Sequence, residues 1–479
     1  MKNLEPKVLW NFFHQITQIP RPSKKEERIL GWLKDTAANH RLDYEQDKAG
    51  NLVIRKAATP GYEHRPGVIL QSHVDMVCEK NAGTEFNFDT DPIQAYIDGD
   101  WVKARGTTLG ADNGIGVAMA LSVLTATDLH HPAIECLFTV DEETGLTGAF
   151  ALETGLLKGE VLINLDSEDD GEVFIGCAGG IGTKASFEWK KETAPAGLFA
   201  FKMEVGGLKG GHSGGDIHLG LANALKLLAG YLGRLKAQMP VRLATIQGGN
   251  LHNAIPREAG AVVAVPYAEK ETIRVLLNLY LAEVEASYNA IEPGLKLTLQ
   301  STDAPAELID QRTSDRLIDA LNACPHGVIA MSTDMPGLVE TSTNLASVKM
   351  AGNRIDIVTS QRSMGEAGKK EIADAVYKVW NDAGAQVEQT DGYPGWKPDL
   401  DSRILTVTRE AYKTLFGQDP AIKAIHAGLE CGLFLEKYPH LDMVSVGPQM
   451  YGVHSPDEKL SIASTQKSWA WLVEILKNC

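Results

Sequence analysis

Short, largely apolar runs that end directly in charged residues constrain the fold of this chain more than any other feature. Residues 68–70 lead into Gln-Ser-His-Val-Asp, residues 134–140 into Asp-Glu-Glu-Thr-Gly, and residues 161–165 into Asp-Ser-Glu. Such runs, bounded by turn residues, predict buried strands. Because catalytic and binding groups of open α/β sheets gather at the carboxyl ends of the strands, the pattern predicts a largely parallel sheet with a polar site along one edge.

His73 and Asp75 follow the first of these strands and are two residues apart. In an extended chain their side chains point to the same face. The Asp75 carboxylate can then hold one ring nitrogen of His73 and leave the other nitrogen for a metal. A His-x-Asp pair also occurs by chance, and a solvated surface pair is the alternative.

Further acidic residues and a late histidine occupy comparable places at strand ends and glycine-rich turns. They are Asp112 in Gly-Ala-Asp-Asn-Gly, Glu142 and Glu143 after the second strand, Asp166 after the third, and His454 in a loop after the apolar run 443–446. With Asp75 these residues make five carboxylates, which would repel one another if held close together, and bound cations would reverse that penalty. The set therefore predicts a metal site.

Composition limits the possible partners. The formal net charge of −16 argues against nucleic acid and anionic membranes as partners. The six cysteines show no metal-type spacing, which indicates reduced thiols and a cytoplasmic protein. We find no signal-peptide pattern at Met1, and no apolar run approaches the roughly 18–20 residues that span a bilayer.

The order of predicted elements indicates a split domain. Residues 1–182 and 392–479 read as two segments of one α/β domain, because both carry candidate ligands. Residues 183–391 read as an inserted α+β domain of two tandem split-βαβ units.

Near the N-terminus, apolar periodicity predicts a helix over 7–18, and Ser-Lys-Lys-Glu at 23–26 predicts a capping box that opens the next helix.

The ordered motifs His-x-Asp, Gly-Ala-Asp-Asn-Gly, Asp-Glu-Glu-Thr-Gly, Leu-Asp-Ser-Glu and a late His resemble those of the co-catalytic di-zinc peptidase and aminoacylase superfamily. The resemblance covers the whole chain. The segments 72–77, 210–217 and 426–432 are similar to a bacterial dipeptidase branch of that superfamily. The resemblance implies a catalytic domain split by a lid domain.

Residue by residue, the resemblance implies two Zn²⁺ per subunit, with Co²⁺ or Mn²⁺ as possible substitutes. Asp112 would bridge the two metals, His73 and Asp166 would complete one site, and Glu143 and His454 the other. Glu142 would be the general base and acid for a hydroxide held by the two ions, and Asp75 would orient His73. Nitrogen and oxygen donors suit these metals.

The resemblance also places four substrate-binding residues in or near the inserted domain. His212 would stabilise the developing oxyanion, although a helix-capping role is the alternative. Asn253 and Arg362 match lid positions that hold the substrate carboxylate, and an ordinary exposed strand arginine is the alternative for Arg362. Gly428 would allow close backbone approach to the substrate or form a plain turn.

The implied activity is hydrolysis of small unblocked dipeptides, Xaa-His among them. The alternative is a di-zinc deacylase of N-acyl amino acids, since the metal site is shared and specificity lies in the inserted domain. Gly-His-Ser-Gly-Gly at 211–215 also fits a serine nucleophile elbow, but Ser213 lies well beyond the strand that ends near Val205. A self-sufficient monomer and a homodimer are both compatible with the doubled lid.

Overall fold

The computed structural model describes Met1 and residues 3–479, which form two compact units. The first unit comprises Met1–Gly176, Trp396–Ala424 and Leu429–Cys479, and the second comprises Cys177–Gly395 and Ile425–Gly428. The sequence placed the domain boundaries after residues 182 and 391, and that division stays a prediction. The α/β fold class inferred from the sequence is confirmed.

The α-helices of the described residues are α1 (Lys7–Thr17), α2 (Glu27–Asn39), α3 (Ala111–Thr125), α4 (Thr147–Ala151), α5 (Ala224–Lys236), α6 (Thr272–Tyr288), α7 (Gln311–Ala323), α8 (Glu366–Asp382), α9 (Arg403–Phe416), α10 (Glu430–Lys437) and α11 (Ile462–Asn478). None of these helices combines the length and the apolar composition that crossing a lipid bilayer requires.

The strands are β1 (Asp43–Gln46), β2 (Leu52–Lys56), β3 (Val68–His73), β4 (Ala95–Asp98), β5 (Trp101–Ala104), β6 (Ile134–Thr139), β7 (Val161–Asn164), β8 (Glu172–Cys177), β9 (Gly179–Glu188), β10 (Lys191–Thr193), β11 (Leu198–Gly206), β12 (Gly211–His212), β13 (Arg242–Gly248), β14 (Ala254–Ile255), β15 (Ala259–Pro266), β16 (Lys296–Thr302), β17 (Glu307–Ile309), β18 (Gly327–Met331), β19 (Val339–Ala351), β20 (Arg354–Ser363), β21 (Gln386–Gln389), β22 (Ala421–Ile425), β23 (Asp442–Ser445), β24 (Met450–Tyr451) and β25 (Lys459–Ser461).

The main sheet of the first unit has the order β1-β2-β6-β3-β7-β23-β8-β22. The central strands β6, β3, β7 and β23 run parallel, and they are the strands whose ends carry most of the candidate ligands. The strands β1, β2 and β8 pair antiparallel with their neighbours, so the expectation of a mostly parallel sheet applies to the centre of this sheet. Every residue of β3, β6 and β7 is buried, as expected for strands covered on both faces.

The N-terminal segment shows one agreement and one difference. α1 buries its apolar stripe of Leu9, Trp10, Phe13 and Ile16, as the periodicity predicts. α2, however, begins at Glu27 without a side-chain cap, so the predicted capping box at 23–26 does not form. Instead, the Ser23 hydroxyl donates to Asp75, and Glu26 accepts from the backbone of Asp141. These side chains therefore form hydrogen bonds at the edge of the sheet and do not cap the helix.

The nine-stranded sheet of the second unit contains two four-stranded halves with helices α5 to α8 packed against them. One half has the order β16-β11-β15-β13, and the other has the order β21-β9-β20-β19. The two halves join where β13 pairs with β19. Each half is a split-βαβ unit. The second half takes its first strand, β9, from ahead of the first half, so the first half is nested within the second along the chain.

Candidate metal centre

Asp112 lies between the two candidate histidine ligands of the first unit. Its Oδ1 atom is 2.9 Å from His73 Nε2, and its Oδ2 atom is 3.1 Å from His454 Nε2. Each histidine also faces one further carboxylate: His73 Nε2 lies 3.3 Å from Asp166 Oδ1, and His454 Nε2 lies 3.1 Å from Glu143 Oε2. These residues form two groups of three possible metal donors, and both groups include Asp112. Within each group the donor atoms lie within 4.8 Å of one another.

The fold brings these residues together from the carboxyl ends of the central strands. His73 is the last residue of β3, and Asp166 follows β7. Glu143 lies in the turn after β6, and His454 lies in the loop between β24 and β25 with a left-handed backbone (φ 61°). Asp112 lies at the start of α3 with non-helical backbone angles, which separates its carboxylate from the helix that follows.

Asp75 connects His73 with the turn that carries Glu142 and Glu143. Its carboxylate lies 3.3 Å from His73 Nδ1 and accepts hydrogen bonds from the backbone N–H groups of Glu142 (3.1 Å) and Glu143 (3.2 Å). Burial alone would raise the pKa of Asp75, but the hydrogen bond and charge of His73 lower it to about 2. An ionised Asp75 therefore fixes both the ring of His73 and the direction of the acidic turn.

Glu142 lies beside the two groups that share Asp112 and belongs to neither of them. Its carboxylate lies near His73 and Glu143, within a third possible donor group. Burial raises its pKa well above the usual value, and the charge of His73 opposes this rise only in part. Glu143 contacts His454 directly, so the geometry favours Glu143 as the ligand and leaves Glu142 beside the centre.

The donor set fits two divalent cations. Nitrogen and carboxylate oxygen donors suit zinc and related metals. Glu143 Oε1 is buried without a hydrogen-bond partner in the described chain. Burial is the main cause that raises the pKa of nearby Glu168 to about 8, and the charges of Asp112 and Asp166 add to this rise. Bound cations would reverse the part that comes from repulsion between the carboxylates.

Two buried charges that the sequence did not single out hold the turn that presents Asp112. The carboxylate of Glu458 accepts from the backbone N–H groups of Leu109 (2.7 Å), Gly110 (3.0 Å) and Ala111 (2.7 Å). On the carbonyl side, the Arg21 guanidinium donates to Gly110 and also to the carbonyls of residues 74 and 75. The turn is thus fixed from both sides.

A buried row of polar side chains runs beneath the candidate ligands. The Gln71 amide donates to Glu430 (2.6 Å) and accepts from Asn164 (2.5 Å), which in turn accepts from Ser445 (2.5 Å). This row ties β3, β7, β23 and α10 together. Glu430, to which the sequence gave no role, supports the sheet below the centre by accepting from Gln71 and from Thr139 (2.9 Å). Burial raises its pKa to about 8.

His212, in the second unit, has a defined tautomer. Its Nδ1 atom accepts hydrogen bonds from the backbone N–H groups of Gly214 (3.3 Å) and Gly215 (2.9 Å). A backbone N–H can only donate, so the ring proton of neutral His212 lies on Nε2. Burial, followed by the charge of Arg362, lowers the pKa of His212 and favours this neutral form. His212 therefore offers one N–H donor. The two contacts of its Nδ1 atom cap the turn at residues 213–216, which precedes the short 3-10 helix Ile217–Leu219, rather than the helix itself.

The other predicted substrate residues also belong to the second unit. Arg362 lies on β20 and is 6% exposed, so it is not an ordinary exposed strand arginine. Asn253 is half-buried, and its carbonyl accepts from Ser213 N–H. Ser213 Oγ is buried without a hydrogen-bond partner in the described residues, so it lacks the base that a serine nucleophile needs. Gly428 lies against Tyr393.

Comparisons with known proteins define the class. Residues 69–478 match the family model described as Peptidase family M20/M25/M40. This match spans most of the chain, and the chain therefore belongs to that family of metallopeptidases. The family resemblance inferred from the sequence motifs is confirmed.

Individual relatives narrow this class. The cytosol non-specific dipeptidase of Escherichia coli (strain K12) is 45% identical over 482 residues, which covers 100% of this chain and 99% of the relative. The crystal structure of aminoacylhistidine dipeptidase from Vibrio alginolyticus has 44% identity and a TM-score of 0.92, covering 100% of this chain and 97% of that chain. Aminopeptidase PepT from Bacillus cereus ATCC 10987 (17% identity, TM-score 0.59, 99% and 98% covered) shares the fold.

The contacts of Glu458 predict a measurable loss of stability. Glu458→Gln replaces one accepting oxygen with an NH₂ group and leaves a backbone N–H unpaired, so we expect a loss of about 1–3 kcal/mol in the free energy of unfolding. The measurement is denaturant unfolding in the presence of a chelator, which removes any contribution of bound metal. Glu436→Gln, at an exposed position, is the control. Equal stability of the two variants would contradict the role of Glu458.

Proposed function

We propose that this chain is a di-metal dipeptidase that hydrolyses small unblocked dipeptides, Xaa-His among them. The observation that carries the proposal is Asp112, whose two oxygens each face a histidine and its carboxylate partner while Glu142 stands beside them. The names of the two relatives that match along their whole length support the same substrate class. The name of the Escherichia coli relative also supports a cytoplasmic location.

Zinc is the proposed metal, with Co²⁺ or Mn²⁺ as substitutes. His73, Asp112 and Asp166 would hold one ion, and Asp112, Glu143 and His454 the other. When bound, the two ions supply Lewis-acid polarisation of the scissile carbonyl and lower the pKa of the attacking water.

In this mechanism the residues of the chain position the reactants and move one proton. Glu142, with its raised pKa, accepts the proton of the attacking water and returns it to the leaving amine. Asp75 keeps the His73 ring in place. His212 donates its Nε2–H to the oxyanion that develops on the carbonyl oxygen. Arg362, with Asn253, pairs with the free carboxylate of the substrate.

The first test is removal of the metals. Prolonged chelation should abolish dipeptide hydrolysis, and added Zn²⁺ or Co²⁺ should restore it, because the proposed mechanism relies on the two ions to activate both the attacking water and the scissile carbonyl. Turnover is measured alongside metal content by mass spectrometry. Full activity of a preparation shown to be metal-free would refute the proposal.

The second test separates Glu142 from the ligands. Glu142→Ala should retain near-normal metal content while kcat falls by on the order of 10²–10⁴-fold, the usual effect of losing a general base. His454→Ala should lose metal, because it removes a donor from one group. If both variants lose the same amount of metal, the roles of these residues have been divided wrongly.

The third test distinguishes the dipeptidase from the deacylase. A panel of free dipeptides, their C-terminal amides and N-acyl amino acids is assayed with the wild type and with Arg362→Ala. We expect free dipeptides to be cleaved fastest and Arg362→Ala to reduce the preference for free acid over amide by about tenfold or more. Faster cleavage of N-acyl amino acids would establish the deacylase, and an unchanged acid-to-amide ratio would remove Arg362 from the carboxylate site.

We also propose that the monomer is active. The β13–β19 pairing joins two split-βαβ halves in one sheet of a single chain, so no second chain is required to form that sheet. Size-exclusion chromatography with an activity assay of each fraction tests this point. Activity confined to fractions of twice the monomer mass would instead show the homodimer that the sequence left open.

A further inference from the structure

Arg362 is a buried cation without an anionic partner in the described residues. Its Nη1 atom donates to the hydroxyl oxygen of Tyr393 (2.8 Å), and its Nε atom is buried with no partner. Burial, followed by the charge of Arg362, lowers the pKa of His252 and also lowers the pKa of His426 to about 4, so the imidazoles near this cation are neutral. An unpaired buried guanidinium among neutral rings favours a ligand with a negative charge.

Tyr393 is held firmly beside this arginine. Its N–H donates to the carbonyl of Gly180 (2.8 Å), and its own carbonyl accepts from Gly180 N–H (3.0 Å) and from Lys369 Nζ (2.7 Å). A Cβ atom at Gly180 would lie 2.6 Å from the phenol ring, and one at Gly428 would lie 2.9 Å from it. Two glycines therefore leave room for the ring, and the backbone contacts fix its direction.

The hydroxyl of Tyr393 still has a donor to offer. Its oxygen accepts from Arg362, and in the described residues its own O–H has no acceptor. A phenol can accept and donate at once. The Tyr393 hydroxyl and the unused N–H groups of Arg362 are thus neighbouring donors, an arrangement that suits the two oxygens of one carboxylate.

We propose that Tyr393 is a specificity-determining residue that binds the free C-terminal carboxylate of the substrate together with Arg362. The inference rests on the proposed function, which assigns Arg362 to that carboxylate. It adds a second donor, from a residue to which the sequence analysis assigned no role. It also gives Gly428 a different purpose: this glycine makes room for the ring of Tyr393, and a side chain there would displace the phenol.

The test compares Tyr393→Phe with the wild type on L-Ala-L-His and its C-terminal amide. The substitution removes only the hydroxyl, so we expect kcat/KM for the free acid to fall about tenfold, the usual effect of losing one hydrogen bond to a charged group, with most of the change in KM. For the amide, which lacks the charged carboxylate, the two enzymes should differ by less than about twofold. Tyr267→Phe, at an exposed position of the same unit, is the matched control.

Gly428→Ala provides a second variant that keeps the hydroxyl but displaces the ring. It should show the same selective loss on the free acid, while circular dichroism and the unfolding midpoint report whether either variant remains folded. Equal losses on acid and amide, or no loss on either, would overturn the role of Tyr393. If Arg362→Ala lowers the acid-to-amide ratio and Tyr393→Phe does not, this inference fails alone. If Arg362→Ala leaves the ratio unchanged, the proposed function of Arg362 fails as well.

Discussion

The shared carboxylate of Asp112 is the contact on which the rest of the first unit depends. One of its oxygens faces a histidine at the end of β3 and the other faces a histidine near the C-terminus of the chain. Both contacts require the carboxylate to stand at one position and one angle. A free turn would not hold it, because each backbone residue that is fixed costs about 1–2 kcal/mol in conformational entropy. The buried Glu458 and Arg21 meet this cost by hydrogen bonding the turn from opposite sides.

This support also couples distant parts of the chain. Glu458 lies in the same loop as His454, so the loop that carries one candidate ligand also anchors the turn that carries another. Asp75 has a comparable double role, since it contacts His73 and accepts from the backbone of residues 142 and 143. Movement of one ligand would therefore strain contacts of the next. The centre is preorganised by hydrogen bonds to charged groups, which are the stronger kind in proteins.

The sequence predicted the candidate metal ligands that lie at or just after the ends of strands. His73, Glu143 and Asp166 follow buried apolar runs, and the structure brings them to one edge of the sheet. It was uninformative where a side chain acts on backbone groups from a distant segment. Arg21 lies in Pro-Arg-Pro, which indicates only a helix end, and Tyr393 lies in the turn-type sequence Gly-Tyr-Pro-Gly at 392–395. No local periodicity marks either role, because both roles arise only once segments far apart in sequence have met.

Contacts between segments far apart in the sequence also explain why the predicted capping box and the predicted tandem order of the two sheet halves differ from the structure. Ser23 and Glu26 have the spacing of a capping box, but Asp75 and the backbone N–H of Asp141 bind their side chains instead. These partners are far away in the sequence, so the local sequence pattern cannot reveal them. In the second unit, the order of helices and strands predicted two tandem halves. The structure places β9 in the later half because pairing with β20 and β21 extends that sheet, an outcome that element order alone does not encode.

Under the proposed function, each unit recognises one end of a dipeptide by its charge. A dipeptide carries an ammonium at one end and a carboxylate at the other. The first unit gathers Asp112, Glu142, Glu143, Asp166 and Glu168, five carboxylates against the four positive charges of two divalent cations. The second unit offers the buried guanidinium of Arg362 without an acidic partner in the described residues. An N-acyl amino acid has a free carboxylate but no free ammonium group, so discrimination against it has to come from the first unit. A dipeptide amide has a free ammonium group but no carboxylate, so Arg362 and the residues that position it have to discriminate against the amide.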